Sequence, residues 1–345
     1  MKIQGKHVLV CGAGGFIGGH LVRKLIESGA ATVRAVDAKP FSEWHQISKH
    51  ADNFVLDLSS RANCLTAVKG SSIVFQLASD MGGMGFIENN RALCMLNVLI
   101  NTHMLLAARH YSVERFFFSS SACVYNLALQ STPQVVALRE EDAYPAMPED
   151  GYGWEKLFTE RMCRHFEEDF GLQCRVARYH NVYGPFGTWQ GGREKAPAAI
   201  CRKVLEARLS SVPEIEIWGD GSQTRSFLYI DDCIQGTIAI AESSVHEPLN
   251  LGSSELVTID QLVSIAENIA GIRLNRRYNP HAPIGVNGRN SDNTRIARLL
   301  QWEPSIPLAE GLRSMYRWIE QEMLQGSALQ ASVVLQEDYA SESGD

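Results

Sequence analysis

Apolar runs and amphipathic stretches alternate along the first half of the chain. Short apolar runs predict strands at 6–11 (KHVLVC), 32–37 (TVRAVD), 53–57 (NFVLD), 73–78 (IVFQLA) and 115–120 (RFFFSS). Two more strands are expected near Cys174–Tyr179 and Leu249–Leu251. Helical periodicity fills the gaps, for example at Phe16–Ser28, Asn97–Tyr111 and Tyr152–Phe170. Strands that alternate with helices in this way predict an α/β fold built on a doubly wound parallel sheet.

The second half reads differently. From Gly184 to about Arg225 the chain is rich in Gly, Pro and Trp, with one helix expected at Ala196–Arg208. Further helices are expected near Ile230–Ala241, Ile259–Ala270, Asn293–Leu300 and Leu308–Met323. This pattern predicts a smaller, mostly helical C-terminal domain laid over the sheet as a lid. The expected boundaries are 1–180 for the sheet domain, with a later contribution near 228–256, and 181–325 for the lid. Residues 326–345 are small, polar and acidic, and are expected to form a disordered tail.

Composition narrows the function classes. The 345 residues are 45% hydrophobic and 21% charged, ordinary for a globular enzyme. No 18-residue stretch is both apolar and uncharged, so no transmembrane helix and no membrane partner are expected. The N-terminus runs straight into the first strand, which reads as a fold element and not as a cleaved signal; a cytoplasmic location follows as the expectation. The net charge of −7, with no long basic run, disfavours nucleic acid. A local cluster of Arg and Lys can still hold an anionic small ligand. The eight cysteines form no CxxC pair, which argues against a metal site and a disulfide framework. Most of them read as small packing residues.

The sequence from Gly12 through Gly15, Phe16 and Ile17 to Gly18 follows the first strand and opens the first helix, a GxxGxxG pattern in the strand–helix context of a Rossmann-like cofactor loop. Glycines let the backbone approach a pyrophosphate, and the helix N-terminus offers free N–H groups. Asp37 ends the second strand, about 20 residues past the loop. A carboxylate there accepts hydrogen bonds from ribose hydroxyls and repels a 2′-phosphate, which points to NAD over NADP. Asp57 and Leu58 are placed to edge the adenine, and the small Ala78 leaves the cofactor room.

Tyr152 and Lys156 form a YxxxK pair on one helix face. The ammonium can lower the phenol's pKa and hold the nicotinamide ribose, while the phenol exchanges a proton with a substrate hydroxyl. Ser119, Ser120 and Ser121 supply a third hydroxyl.

Glycine loop, Asp37, serine-bearing strand and YxxxK, in this order, resemble the short-chain dehydrogenase/reductases. The length, Asn181-Val-Tyr-Gly-Pro185 and Arg225-Ser-Phe resemble the extended branch that acts on nucleotide sugars. Within that branch, ASDMGGMGFI (78–87), SSACVY (120–125), YGPFGTWQGGREKAPAA (183–199), WGDGSQTRSF (218–227) and GRNSDN (288–293) are similar to segments of the GDP-mannose 3,5-epimerases. That resemblance implies GDP-mannose as substrate, NAD as cofactor and a homodimer formed through the helices at 97–111 and 152–170. It implies Cys123 and Lys195 as an acid/base pair, and Tyr152, Lys156 and Ser121 as the redox group. It implies Gly82, Ser121, Cys123, Tyr152, Asn181, Glu194, Lys195, Ala196, Lys203, Gln223, Arg225 and Arg289 as contacts to the nucleotide sugar. The chain departs from the plant-like pattern at Asn126-Leu127, where Pro-Glu is usual.

The implied roles make chemical sense. Oxidising C4 to a ketone acidifies the C–H bonds at C3 and C5, and inversion then needs one proton carrier on each ring face. A thiol and an amine can both be tuned for that work. Cys123 is expected near the end of the serine strand and the nicotinamide, with Lys195 on the lid side. Arg193, Lys195, Arg202 and Lys203, together with Arg225 and Arg289, form a basic set suited to a diphosphate. Trp189, Trp218 and Phe186 are candidates to stack on a base or to line the lid. Three competitors share the fold: a 4,6-dehydratase, which needs a carboxylic acid beside the serine motif where Ser121-Ala-Cys123 has none; a simple 4-epimerase, which leaves Cys123 and Lys195 unexplained; and an NAD-sensing binding module, which has no need of Tyr152 and Lys156.

Overall fold

The computed structural model describes the backbone of residues 1–342 and the side chains of residues 1–325. The first half forms strands His7–Cys11 (β1), Thr32–Asp37 (β2), Asp52–Val55 (β3), Ile73–Gln76 (β4), Arg115–Ser121 (β5) and Cys174–Tyr179 (β6). Between them run helices Phe16–Glu27 (α1), Arg61–Val68 (α2), Met84–Asn89 (α3), Arg91–Met95 (α4), Asn97–His110 (α5) and Asp150–Phe170 (α6). Beyond β6 come short strands Val182–Tyr183 (β7), Glu214–Trp218 (β8), Thr224–Ser226 (β9), Leu228–Tyr229 (β10), Leu249–Leu251 (β11), Leu256–Thr258 (β12), Asn275–Asn279 (β13) and Gly288–Arg289 (β14). They alternate with helices Ala196–Ser210 (α7), Ile230–Glu242 (α8), Ile259–Ala270 (α9), Thr294–Leu300 (α10) and Leu308–Glu342 (α11).

Seven strands make one parallel sheet in the order β11-β6-β5-β4-β1-β2-β3. The strand order reverses between β1 and β4, and in such sheets the ligand crevice opens at the carboxyl ends of the strands flanking that point. The sheet is covered on both faces, so β5 reads as a continuous apolar run, and its first six residues are all buried. Its side chains still sort by the two-residue period of a strand. Phe117 faces the core under α1 and α8, whereas Phe116 and Phe118 face the one under α2, α5 and α6. The first of these cores continues without a break into the lid helices, through Ile200 and Val204 of α7, Leu262 of α9 and Leu312 of α11. Local chemistry sets the helix ends: Thr258 and Gln261 form a capping box at the start of α9, and left-handed glycines Gly171 and Gly271 end α6 and α9.

Three details differ from the sequence expectation. β3 ends at Val55 and β4 at Gln76, so Asp57, Leu58 and Ala78 lie in the loops past the strands. The lid's helices are accompanied by three small sheets that the sequence reading did not anticipate, β7 with β10, β8 with β13, and β12-β9-β14. Strands of two to five residues are too short to show a period, and Glu214 pairs with Asn275, far along the chain. Finally, among the described residues the run Arg91–His110 is long and apolar enough to cross a membrane, with 39% of it buried in the fold. The disordered tail expected over 326–345 lies outside the residues whose side chains are described.

Candidate active site

The cofactor crevice is built from missing atoms. Gly12 has a φ of +80°, open to glycine at little cost, and a Cβ there would sit 2.9 Å from the Ala78 amide nitrogen. A Cβ on Gly18 would collide with the Gly12 carbonyl oxygen. The N-cap of α1 is Gly15, with no side-chain cap, so the first-turn amides at Phe16, Ile17 and Gly18 point at the crevice as donors for a diphosphate. The buried Asp37 carboxylate accepts from the Gly14 amide at 3.0 Å and from the Lys39 amide at 3.0 Å, one bond on each oxygen. Each oxygen keeps a lone pair for a ribose hydroxyl. Asp57 is engaged by Ser59, and Leu58 is packed into the core. This cradle, which any Cβ at Gly12 or Gly18 would fill, fits a dinucleotide.

Beside the crevice lies a cavity of about 300 Å³ between sheet and lid. Every residue that the sequence marks as a sugar-nucleotide contact lines it: Gly82, Ser121, Cys123, Tyr152, Asn181, Glu194, Lys195, Ala196, Lys203, Gln223, Arg225 and Arg289. They come from six places in the fold, the first being the loop before α3 that carries Gly82. Ser121 ends β5, and Cys123 follows in a one-turn 3-10 helix whose amide donates to the Ser121 hydroxyl at 3.2 Å. Tyr152 and Lys156 come from α6, while Lys195 is the N-cap of α7 on the lid side. Asn181 follows β6, and Gln223, Arg225 and Arg289 come from the small β9–β14 sheet and its flank.

The electrostatics correct one expectation. Tyr152 is not lowered by Lys156. Burial, then the neighbouring Cys123 and Glu155, push the phenol well above its ordinary value, with only the Ser121 hydroxyl pulling it back. The Lys156 ammonium lies 5.4 Å above the Tyr152 ring and 3.8 Å from the Glu155 carboxylate, so its charge is largely offset. Lys156 is buried beneath the crevice and does not line the cavity. Burial also lowers Lys195 from the usual lysine value. Its place at the positive end of α7 acts in the same direction.

The basic set is sorted by its partners. Arg193 pairs with Asp80 at 2.7 Å and stacks on Phe86 outside the cavity. Arg202 is held by Glu194 and Glu206. Arg289 binds Glu149 at 2.8 Å. The Arg225 guanidinium instead donates to the carbonyls of Thr224, Ile284 and Val286, so it brings an uncompensated positive charge to the cavity wall. Burial and the nearby Arg289 lower it to about 10. Trp218 lines the cavity with Pro283, Ile284 and Lys203, while Phe186 packs on His20 and Trp318, and Trp189 on the core. The Gln223 Oε1 is buried without a partner among the described residues, which fits an acceptor reserved for a ligand.

Sequence reasoning missed Glu149 and Gln130. Both are buried against Arg289, Gln130 at 2.6 Å from its Nε. Glu149 immediately precedes the YxxxK helix, but its partner lies 140 residues away, so no local pattern marks it. It does bring a carboxylate near Cys123, the feature whose absence counted against a dehydratase. That carboxylate lies behind the thiol, bound to Arg289, and does not line the cavity.

A profile of the NAD dependent epimerase/dehydratase family matches residues 8–252. The chain belongs to this family. Its sequence is 44% identical over 330 residues to a GDP-mannose 3,5-epimerase of Arabidopsis thaliana, covering 95% of this chain and 86% of the relative. It is 45% identical over 317 residues to a GDP-mannose 3,5-epimerase 1 of Oryza sativa subsp. japonica, covering 92% and 82%. Among solved structures it is similar to the UDP-glucose 4-epimerase of Thermotoga maritima with UDP-glucose, at TM-score 0.82 and 26% identity, covering 92% of this chain and 99% of that one. It is also similar to the UDP-glucuronic acid 4-epimerase of Bacillus cereus in complex with UDP-glucuronic acid and NAD, at TM-score 0.78 and 26% identity, covering 91% and 99%. As a family member the chain is an NAD-dependent enzyme, and the glycine cradle with Asp37 is where the dinucleotide fits.

Proposed function

We propose that the protein is a GDP-mannose 3,5-epimerase, converting GDP-α-D-mannose to GDP-β-L-galactose and GDP-L-gulose. One observation carries this reading: Cys123, on the sheet side, and Lys195, on the lid side, line the same cavity as Tyr152 and Ser121. A 4-epimerase needs only the last two.

NAD, when bound, supplies a hydride acceptor and a positive ring charge beside the phenol. Tyr152 exchanges a proton with the C4 hydroxyl, and Ser121 steadies the phenol. The resulting ketone acidifies C3 and C5. Lys195 and Cys123 then carry protons on opposite faces of the sugar ring, so a proton leaves on one side and returns on the other. Arg225 and Lys203 meet the diphosphate, and the slot of Trp218, Pro283 and Ile284 takes the base.

The test is turnover of GDP-mannose in heavy water. Deuterium is expected at C3 and C5 of the products and not at C4, which recovers its own hydrogen. Unchanged substrate, or a 4-keto-6-deoxy product, would refute the assignment. Tyr152→Phe should keep NAD and GDP-mannose binding and lose about a hundred- to ten-thousandfold in turnover.

We further infer a homodimer. Leu96 and Leu99 of the α4–α5 run, and Trp154 and Phe158 of α6, are large apolar side chains left exposed. Their burial against a second copy accounts for the apolar character of Arg91–His110. Sedimentation should give twice the 38.2 kDa chain mass, and Phe158→Glu should shift it toward monomer. All eight cysteines are free thiols, which supports a cytoplasmic location, tested by cell fractionation.

A further inference from the structure

Three buried groups meet beside Cys123: Glu149, Gln130 and the guanidinium of Arg289, of which Arg289 alone lines the cavity. Arg289 is 4% exposed, and each of its three nitrogens donates one hydrogen bond. Nε donates to Gln130 Oε1 at 2.6 Å, Nη2 to Glu149 Oε2 at 2.8 Å, and Nη1 to Cys123 Sγ at 3.7 Å. One cation therefore serves two anionic candidates, a carboxylate and a thiol. The segment that carries the carboxylate is pinned to the turn that carries the thiol, because the Glu149 amide donates to the Cys123 carbonyl at 2.8 Å. Gly153 seals that junction, since a Cβ there would strike the same carbonyl.

We propose that Glu149 is a positioning residue for proton exchange: placed beside the thiol and bound to Arg289, it offsets that cation's field at Cys123 and so sets how firmly Cys123 holds its proton. The proposal rests on the epimerase reading above for the need of two proton carriers.

The surroundings of the thiol show why a carboxylate is required. Arg289 from β14, Arg225 from β9, Lys195 from α7 and Lys156 from α6 are cations acting on it, and each favours the thiolate. Tyr152 from α6 and Cys94 from α4 are neutral neighbours. Glu149 is the carboxylate opposing them. Burial, then Glu149, push the Cys123 thiol up to about 11, against Arg289 and the Ser121 hydroxyl. Burial alone would raise Glu149 too, but Arg289 holds it below the usual carboxylate range, so it stays charged. Lys195, the other proton carrier, is lowered by burial.

The test reads the thiol directly, in the NAD-loaded protein. Iodoacetamide alkylation of Cys123 is followed against pH by mass spectrometry of its peptide. The wild-type midpoint is expected above the roughly 8.5 of a free thiol. In Glu149→Gln, Arg289 is left to act on the thiol alone, and the midpoint should fall by about one pH unit or more. Glu149→Asp, which keeps the charge, should restore it. The alkaline limb of the turnover profile with GDP-mannose should move with the midpoint in the Gln variant, with less change in KM. An unmoved midpoint in a Gln variant that binds NAD would overturn the proposal. So would a wild-type midpoint at or below that of a free thiol, which needs no variant at all. Alkylation does not depend on which sugar nucleotide turns over, so failure of the epimerase reading would show separately, as absence of product.

Discussion

The cofactor crevice and the sugar cavity adjoin at Tyr152, yet they are made of opposite materials. The crevice is backbone and empty space: glycines at 12 and 18, an uncapped helix end, and a carboxylate held by two amides. The cavity is side chains, most of its charges already matched, as in Arg289 with Glu149 and Arg202 with Glu194. A crevice of that kind is set by local sequence and tolerates no added atom. A cavity of paired charges is set by distant contacts, and it is sensitive to a lost charge more than to a lost methyl group.

The largest effect should separate the two regions completely. Cys123→Ala and Lys195→Ala should each lose about a hundred- to ten-thousandfold in epimerisation and leave NAD affinity unchanged. Deuterium washed from heavy water into recovered GDP-mannose by Cys123→Ala and not by Lys195→Ala would make Lys195 the proton acceptor. The reverse outcome would exchange the two roles. Next in size, Gly18→Ala should weaken NAD binding through a single methyl group that meets the Gly12 carbonyl, by about 1–3 kcal/mol in calorimetric titration. A neutral result would mean the loop has slack that its glycines do not need. Asp37→Ala should cost NAD about 1.5 kcal/mol, roughly tenfold, and narrow the gap to NADP. Equal wild-type affinities for the two cofactors would remove its selective role. The smallest effect is a matter of shape. Turnover should rise with pH as Lys195 loses its proton, with a midpoint below the roughly 10.4 of free lysine. It should fall again near 11, where Cys123 loses its own. An acid limb at the free-lysine value would show that burial does not tune Lys195.

The same contrast explains what could be read from the sequence. Strand–helix alternation located all seven strands of the sheet, and β2, β6 and β11 to the residue, because each is a run of apolar side chains with its own period. The glycine loop and YxxxK are short patterns whose geometry follows from spacing. The cavity was legible only through resemblance: long matching segments brought in Lys195, Gln223 and Arg289, which no periodicity could have joined to Cys123. Where neither route applied, the reading failed. Glu149 finds its partner across 140 residues, and Lys156 was credited with a charge that the adjacent Glu155 offsets. The small lid sheets escaped for a related reason, since strands as short as β7, β10 and β14 carry two residues each.

The unbroken core that joins β1 to α7, α9 and α11 has a thermodynamic consequence. A lid with its own core could swing as a rigid body and melt on its own. Here Val8 and Val10 of the sheet belong to the same packed cluster as Ile200, Leu262 and Leu312 of the lid, so parting the two would open that cluster to water. Scanning calorimetry should record one cooperative transition, with sheet and lid lost together. Beside the cavity the two parts are joined by polar contacts as well: the Gly83 amide donates to the Arg193 carbonyl at 3.0 Å, and Arg193 pairs with Asp80.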